Sequence, residues 1–349
     1  MPADGKKPVL AGLSIRELKE LLSPYPSFRS AQIWQWIVSG AFSFGEMSNL
    51  PVPMRRELAE KYELVSGRLV SELHDRDGSI KLGIEEEDGT VIEAVILTDG
   101  KDRKTACIST QAGCPMGCVF CKTGSLGFRR NLSAQEISGQ FLHLRGREKE
   151  ISHIVIMGMG EPLLNMGELK KALDFITTKD GLDLSKRRIT LSTCGIVNGI
   201  LDLANNGPDI RLALSLTSAR NGLRQRLMPG SHENPLPRLK EALLLHQKKR
   251  KRRITLEMVL LGGINTGNED VTATVDFASG LDVVVNLIPW NPVSGLEFEG
   301  RPLKPPAPKE ASGFAAALKK AGVKITWRIE KGQSISGACG QLGFLAYNT

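Results

Sequence analysis

The chain has 349 residues, of which 41% are hydrophobic and 24% charged, and a formal charge of +8. Those values suit a soluble enzyme with one large domain and a small accessory one, and no stretch approaches the ~20 apolar residues a membrane helix needs. Met1 to Lys7 carries two lysines with no apolar core behind them, so no secretory signal is expected and a cytoplasmic location is the default.

Residues 1–66 read as a helical accessory domain. Ser14 and Glu17 fit a capping box ahead of Leu18, Leu21 and Leu22, a second helix spans 31–38, and a third follows Pro53. Residues 67–100 change to strands at 68–74, 80–86 and 91–97. Asp77-Gly78 and Asp88-Gly89 separate them as hairpin turns, which predicts an antiparallel linking segment. Residues 101–349 alternate strand and helix. Strands are predicted at 105–109, 153–157, 188–193, 211–216, 254–260 and 283–288, and helices at 134–144, 169–177, 197–205, 236–247 and 269–278. A last helix at 309–321 and a strand at 323–328 close the pattern. The fold class is therefore α/β, a partial (β/α)6 barrel, with ligands expected where strands end and loops begin.

Cys107, Cys114, Cys118 and Cys121 lie close together, while Cys194 and Cys339 stand far apart. That distribution points to a reducing compartment with thiols kept for metal or catalysis. Cys114, Cys118 and Cys121 have the spacing C-x3-C-x2-C just after the first barrel strand. Thiolates suit iron–sulfur clusters or zinc, but a closed zinc site needs a fourth ligand that the scattered histidines do not offer. Three ligands leave one iron of a [4Fe–4S] cluster open, where S-adenosylmethionine can bind and be cleaved to a 5′-deoxyadenosyl radical.

Gly158-Met159-Gly160-Glu161-Pro162 follows the second strand. It reads either as a backbone approach to the methionyl amino group or as a turn closing a βα unit. Ser192, Ser215 and Asn291 end the third, fourth and sixth strands, each a plain loop polar group if taken alone. Cys339, flanked by glycines, is expected to be mobile and accessible. Cys107 is either at the barrel mouth or an ordinary buried cysteine, and Cys194 is read as the latter. The run Lys248-Lys249-Arg250-Lys251-Arg252-Arg253 is read equally as a nucleic-acid contact or an exposed helix end.

Taken together, these residues resemble the RlmN/Cfr family of radical methyltransferases, which act on an adenine of 23S ribosomal RNA. The resemblance spans nearly the whole chain. It rests on Cys107 with Cys114–Cys121, on 158–165, on Ser185-Lys186-Arg187-Arg188 with Leu191-Ser192-Thr193, on 286–292 and on 338–342. It implies that Cys339 accepts a methyl from one S-adenosylmethionine, that the radical from a second activates this methyl, and that Cys107 resolves the protein–RNA crosslink as a disulfide with Cys339. It further implies that Glu93 takes the C2 proton, and that Gly160, Glu161, Ser192, Ser215, Leu216, Thr217 and Asn291 contact S-adenosylmethionine. The partners implied are 23S rRNA, with tRNA as a second substrate, and an electron donor of flavodoxin or ferredoxin type acting on a monomer. The C2 branch is the better match, with C8 methylation or a radical activase as alternatives. Thr217 where histidine is usual, Cys194 where serine is usual and the short stretch after Cys339 are departures from the family pattern.

Overall fold

A computed structural model describes residues 7–100, 103–328 and 330–343. The Met1–Lys7 reading therefore falls outside the described residues but for Lys7, as does the stretch after Gly343.

Three helices open the chain: α1 (Ile15–Leu21), α2 (Ser27–Ser39) and α3 (Val52–Lys61). The predicted capping box starts α1: Glu17 N–H donates to Ser14 Oγ (3.2 Å) and Ser14 N–H to Glu17 Oε2 (2.8 Å). These helices share one apolar core with the rest of the chain. Trp34 of α2 meets Phe175 edge to face at 5.4 Å, and its indole N–H donates to the Asp180 carbonyl.

Strands β1 (Arg68–His74), β2 (Ile80–Glu85) and β3 (Val91–Thr98) follow as an antiparallel meander. Next come β4 (Lys104–Cys107), β5 (Gln111–Gly113), α4 (Lys122–Ser125), β6 (Phe128–Asn131), α5 (Ala134–Arg147) and β7 (Ile151–Ile156). Then follow α6 (Met166–Thr177), β8 (Ile189–Thr193), α7 (Val197–Asn206), β9 (Arg211–Ser215), α8 (Asn221–Leu227) and α9 (Leu236–Arg250). The chain continues through β10 (Ile254–Leu260), α10 (Asn268–Ala278), β11 (Val283–Pro289), β12 (Glu297–Phe298), β13 (Arg301–Pro302), α11 (Pro308–Lys320) and β14 (Ile325–Trp327). One ten-stranded sheet runs β1-β2-β3-β4-β7-β8-β9-β10-β11-β14 and is parallel from β4 onward. This is the expected open barrel.

The segment read as a linker at 67–100 is the edge of that same sheet. β3 pairs antiparallel with β4, with Val95 opposite Cys107, and is buried along nearly its full length. Strands buried on both faces lose the clean alternation of a surface hairpin, so the meander's attachment to the barrel was not readable from its turns alone.

Three charged residues lie buried in this edge, Lys81 and Glu93 as a pair and Glu86 apart. Lys81 Nζ is 3.4 Å from Glu93 Oε2, both side chains essentially inaccessible, and Lys81 also donates to the Ser336 carbonyl (3.3 Å). Glu86 is the second case. It accepts a 2.6 Å hydrogen bond from Ser66 Oγ, and burial pushes its carboxyl up to about 7 from an ordinary 4.5, with Glu136 and Asp88 adding to the rise and Arg130 opposing it. The folded chain thus holds this proton to higher pH than the unfolded chain does. Its contribution to stability is full below about pH 4.5 and is lost as pH rises through about 7. Glu86→Gln is expected to unfold at the parent's temperature in acid, and above pH 7 to gain about 1–3 kcal/mol, as thermal melts on either side of the transition would show.

Candidate active site at the mouth of the barrel

The carboxyl ends of β7 to β11 surround a cavity that is partly open to solvent. The loop after β5 brings Cys114, Cys118 and Cys121 to its wall. Cys114 N–H donates to the Gly127 carbonyl (2.8 Å), Val119 N–H to the Leu227 carbonyl (3.0 Å), and Cys121 N–H back to the Cys118 carbonyl (3.1 Å). The loop is therefore held on three sides by backbone. Burial pushes the Cys114 and Cys121 thiols up, so they ionise as ligands only in the field of a bound metal centre. Among the described residues no three His, Cys, Asp or Glu side chains converge as they would around a single ion. Three thiols from one loop in C-x3-C-x2-C spacing, at a cavity left open at the strand ends, fit a [4Fe–4S] cluster held by three irons.

Of the predicted site residues, Gly160, Glu161, Ser192, Ser215, Asn291 and Cys339 share that wall with the three cysteines. The glycines of the 158–160 turn answer to packing. A Cβ at Gly158 would meet Ser109 Oγ at 2.6 Å and Ile108 backbone at 2.7 Å, and one at Gly160 (φ +101°) would meet Gln111 Cβ at 2.6 Å. Their absent side chains let the turn close onto the segment after β4, whatever ligand lies beyond. Glu161 is tied down as well. Its carboxylate accepts from Leu163 N–H (3.1 Å), Thr193 Oγ1 (2.7 Å) and Cys194 N–H (2.6 Å), which joins the β7 loop to the β8 loop.

Cys107, Glu93, Leu216 and Thr217 do not lie on the cavity wall. Cys107 ends β4 just behind it, packed with Val95, Met159 and Leu342. Glu93 is buried on β3. Leu216 and Thr217 are both fully buried, and their N–H groups both donate to the Glu257 carbonyl (2.9 and 3.2 Å). Thr217 adopts φ +54°, which is unusual for a β-branched residue, and its carbonyl accepts from Asn265 Nδ2 (2.8 Å).

Two expectations are corrected here. Cys339 is half-buried rather than openly accessible, and its segment is hydrogen-bonded through its backbone. Its carbonyl accepts from Asn291 Nδ2 (2.9 Å), Lys122 N–H donates to the Gly340 carbonyl (2.7 Å) and Thr123 Oγ1 to the Leu342 carbonyl (2.6 Å). The flanking glycines permit the turn, while the helix start at Lys122 clamps it. Cys194 is no ordinary core cysteine: it lines the cavity with its Sγ 4.0 Å from Cys118 Sγ. Position 194 follows a strand end, and that placement is the signal the sequence carried. Sequence reasoning also passed over Glu257 and Arg328, both on the wall. Glu257 interrupts the apolar run of β10, and a charge at a buried strand position is itself a pointer to a site.

The basic run is largely committed to the fold. Lys249 donates to Asn205 Oδ1, Arg250 Nη2 to the Leu203 and Gly207 carbonyls (2.8 Å each), Arg252 pairs with Asp209 and Arg253 with Asp282 (2.8 Å).

An open parallel barrel with a three-cysteine loop at the strand ends is the architecture of radical S-adenosylmethionine proteins, and residues 108–278 match the model of the Radical SAM superfamily. A crystal structure of a radical SAM methyltransferase from Sphaerobacter thermophilus superposes with a TM-score of 0.90 at 34% identity, over 96% of this chain and 99% of that one. Proteins named probable dual-specificity RNA methyltransferase RlmN are similar nearly end to end. The one from Treponema denticola is 48% identical over 97% of this chain and 96% of its own length. That from Treponema pallidum is 44% identical over 96% and 97%. The chain belongs to the RlmN family of radical SAM enzymes.

Proposed function

We propose that this protein methylates C2 of an adenine in 23S rRNA, with tRNA as a second substrate, through a methyl group first loaded on Cys339. The observation that carries the reading is the placement of Cys339 on the same cavity wall as Cys114, Cys118 and Cys121, with Cys107 packed just behind. The names of its RlmN relatives support RNA as the substrate class. Cys114, Cys118 and Cys121 would hold a [4Fe–4S] cluster, which when loaded with S-adenosylmethionine supplies a 5′-deoxyadenosyl radical by one-electron reduction.

Every other step falls to the chain's own residues. The wall formed by Gly160, Ser192, Ser215 and Asn291 receives S-adenosylmethionine, and Asn291 couples it to Cys339 through the 2.9 Å bond to that residue's carbonyl. An adenine C2 lies between two ring nitrogens and is electron-poor, so it does not attack a sulfonium methyl directly. Cys339, as thiolate, takes the methyl by displacement. Loss of a hydrogen atom from this methyl, carried off as 5′-deoxyadenosine, leaves a carbon radical that adds to C2 and joins protein to RNA, and the unpaired electron this leaves on the base passes back to the oxidised electron carrier. Glu93 takes the C2 proton once the segment carrying Ser336 and Cys339 gives way to the base, since Lys81 bonds both Glu93 and the Ser336 carbonyl. Cys107, as thiolate, then attacks the Cys339 sulfur, forming the disulfide as the carbon–sulfur bond breaks toward the base, whose new CH2 carbon takes up a proton to become the methyl group, and external reductant restores the thiols. The target base reaches the cavity unstacked. A flavodoxin- or ferredoxin-type donor supplies electrons to a cytoplasmic monomer; no described helix is long and apolar enough to cross a membrane.

Mass spectrometry of ribosomal and transfer RNA from cells with and without the gene tests this reading. Loss of 2-methyladenosine on deletion is expected. Loss of 8-methyladenosine would move the chemistry to C8, and unchanged RNA would favour a radical activase of protein or small molecules, a reading that leaves Cys107 and Cys339 without a role.

A further inference from the structure

Among the described residues the cavity wall carries a single cationic side chain, Arg328. It stands just past β14, where its N–H donates to the Leu287 carbonyl (3.0 Å) and its Nη1 contacts Met157 Sδ (3.5 Å). Met157 packs against the small apolar cluster that contains Cys107 and Leu342. Leu342 lies on the pinned segment that sets Cys339 in the wall. The guanidinium is thus anchored on the wall that carries Cys339, beside the cluster that holds the β4 thiol.

The charged and titratable groups facing it are Cys339, Glu257 and Cys107, one each from the C-terminal segment, β10 and β4. Burial pushes the Cys107 thiol up to about 12, its neighbour Cys339 adds to the rise, and Arg328 opposes both. Glu257 is raised by burial too, with Arg328 and the 2.7 Å bond from Asn286 Nδ2 working the other way. A thiol so placed is a poor nucleophile unless a fixed positive charge stands beside it. Arginine supplies one that burial does not remove.

We propose that Arg328 is the positioning residue of the thiol pair: it holds the Cys107 and Cys339 sulfurs facing one another and stabilises the anion through which they join. This rests on the disulfide step proposed above. Closing the bond costs the two thiols two protons and two electrons, which glutathione disulfide takes up as two glutathione thiols. Arg328 neither gives nor takes an electron in that exchange; it lowers the cost of the thiolate that attacks.

The test uses cluster-loaded wild type, Arg328→Met and Arg328→Lys, exposed anaerobically to glutathione disulfide from neutral to alkaline pH. The Cys107–Cys339 bond is counted by peptide mass spectrometry, on the fraction whose Cys339 is unmethylated. Arg328→Met is expected to close about tenfold more slowly at neutral pH, the deficit fading as pH rises, with Arg328→Lys recovering most of the rate. Equal rates in wild type and Arg328→Met would overturn the proposal, and so would a deficit that persists unchanged at alkaline pH, the mark of mere misplacement. If Arg328→Met does not fold, Arg328→Gln carries the same comparison. A wild type that never forms the bond would instead contradict the disulfide step itself, an outcome distinct from the other two.

Discussion

Cys121→Ala is expected to emerge from anaerobic reconstitution colourless, with iron at background and S-adenosylmethionine cleavage down by about three orders of magnitude or more, because nothing else in the cavity supplies one-electron chemistry. Cys121 leads directly into α4, its N–H bonded back to Cys118 and the following Lys122 N–H bonded to Gly340, so its sulfur is fixed by backbone on both sides. Cys118 is the informative contrast. Cys194 Sγ lies 4.0 Å from its sulfur, close enough to take over as a ligand after a small loop movement. Cys118→Ala is therefore expected to retain a fraction of its iron and of the near-ultraviolet to visible absorption of the cluster. The double variant Cys118→Ala/Cys194→Ala is expected to lose both. Equal loss in the single and double variants would show that Cys194 cannot replace Cys118.

Cys339→Ala separates radical formation from methyl transfer. Its side chain is on the wall, but its backbone does the holding: the carbonyl takes the Asn291 bond, and the neighbouring bonds of Gly340 and Leu342 also run through backbone carbonyls. Removing the sulfur leaves those contacts in place. Reductive cleavage of S-adenosylmethionine is expected to stay within about twofold of wild type, while adenine methylation falls below detection, since the electron-poor carbon has no other methyl donor. Full methylation by Cys339→Ala would remove the thiol from the mechanism.

The order of barrel strands and the cluster loop were legible because both are local. A run of β-branched residues and a C-x3-C-x2-C spacing are readable without knowing what packs against them. Tertiary pairing was not. Nothing in 91–98 announces that it will pair with the first barrel strand, and nothing in the Gly-Ala-Cys-Gly of 337–340 announces the clamp from Lys122 and Thr123. The glycines at 158 and 160 read along the chain as room for a ligand or as a turn, and in the fold the space they vacate is filled by Ile108, Ser109 and Gln111. Cys194 and Arg328 belong to the same class. Each is unremarkable along the chain and acquires meaning only from the residue that the barrel sets beside it.

The most direct measurement follows the methyl group itself. On the proposed route, cells supplied with methionine bearing a trideuterated methyl group would load that group onto Cys339, and a hydrogen atom would be taken from it before it reaches the base. Mass spectrometry of the methylated adenosine is expected to find a methyl retaining two deuteriums and one ordinary hydrogen. A methyl that arrives with all three deuteriums would mean direct transfer by displacement, and would contradict the radical route through Cys339.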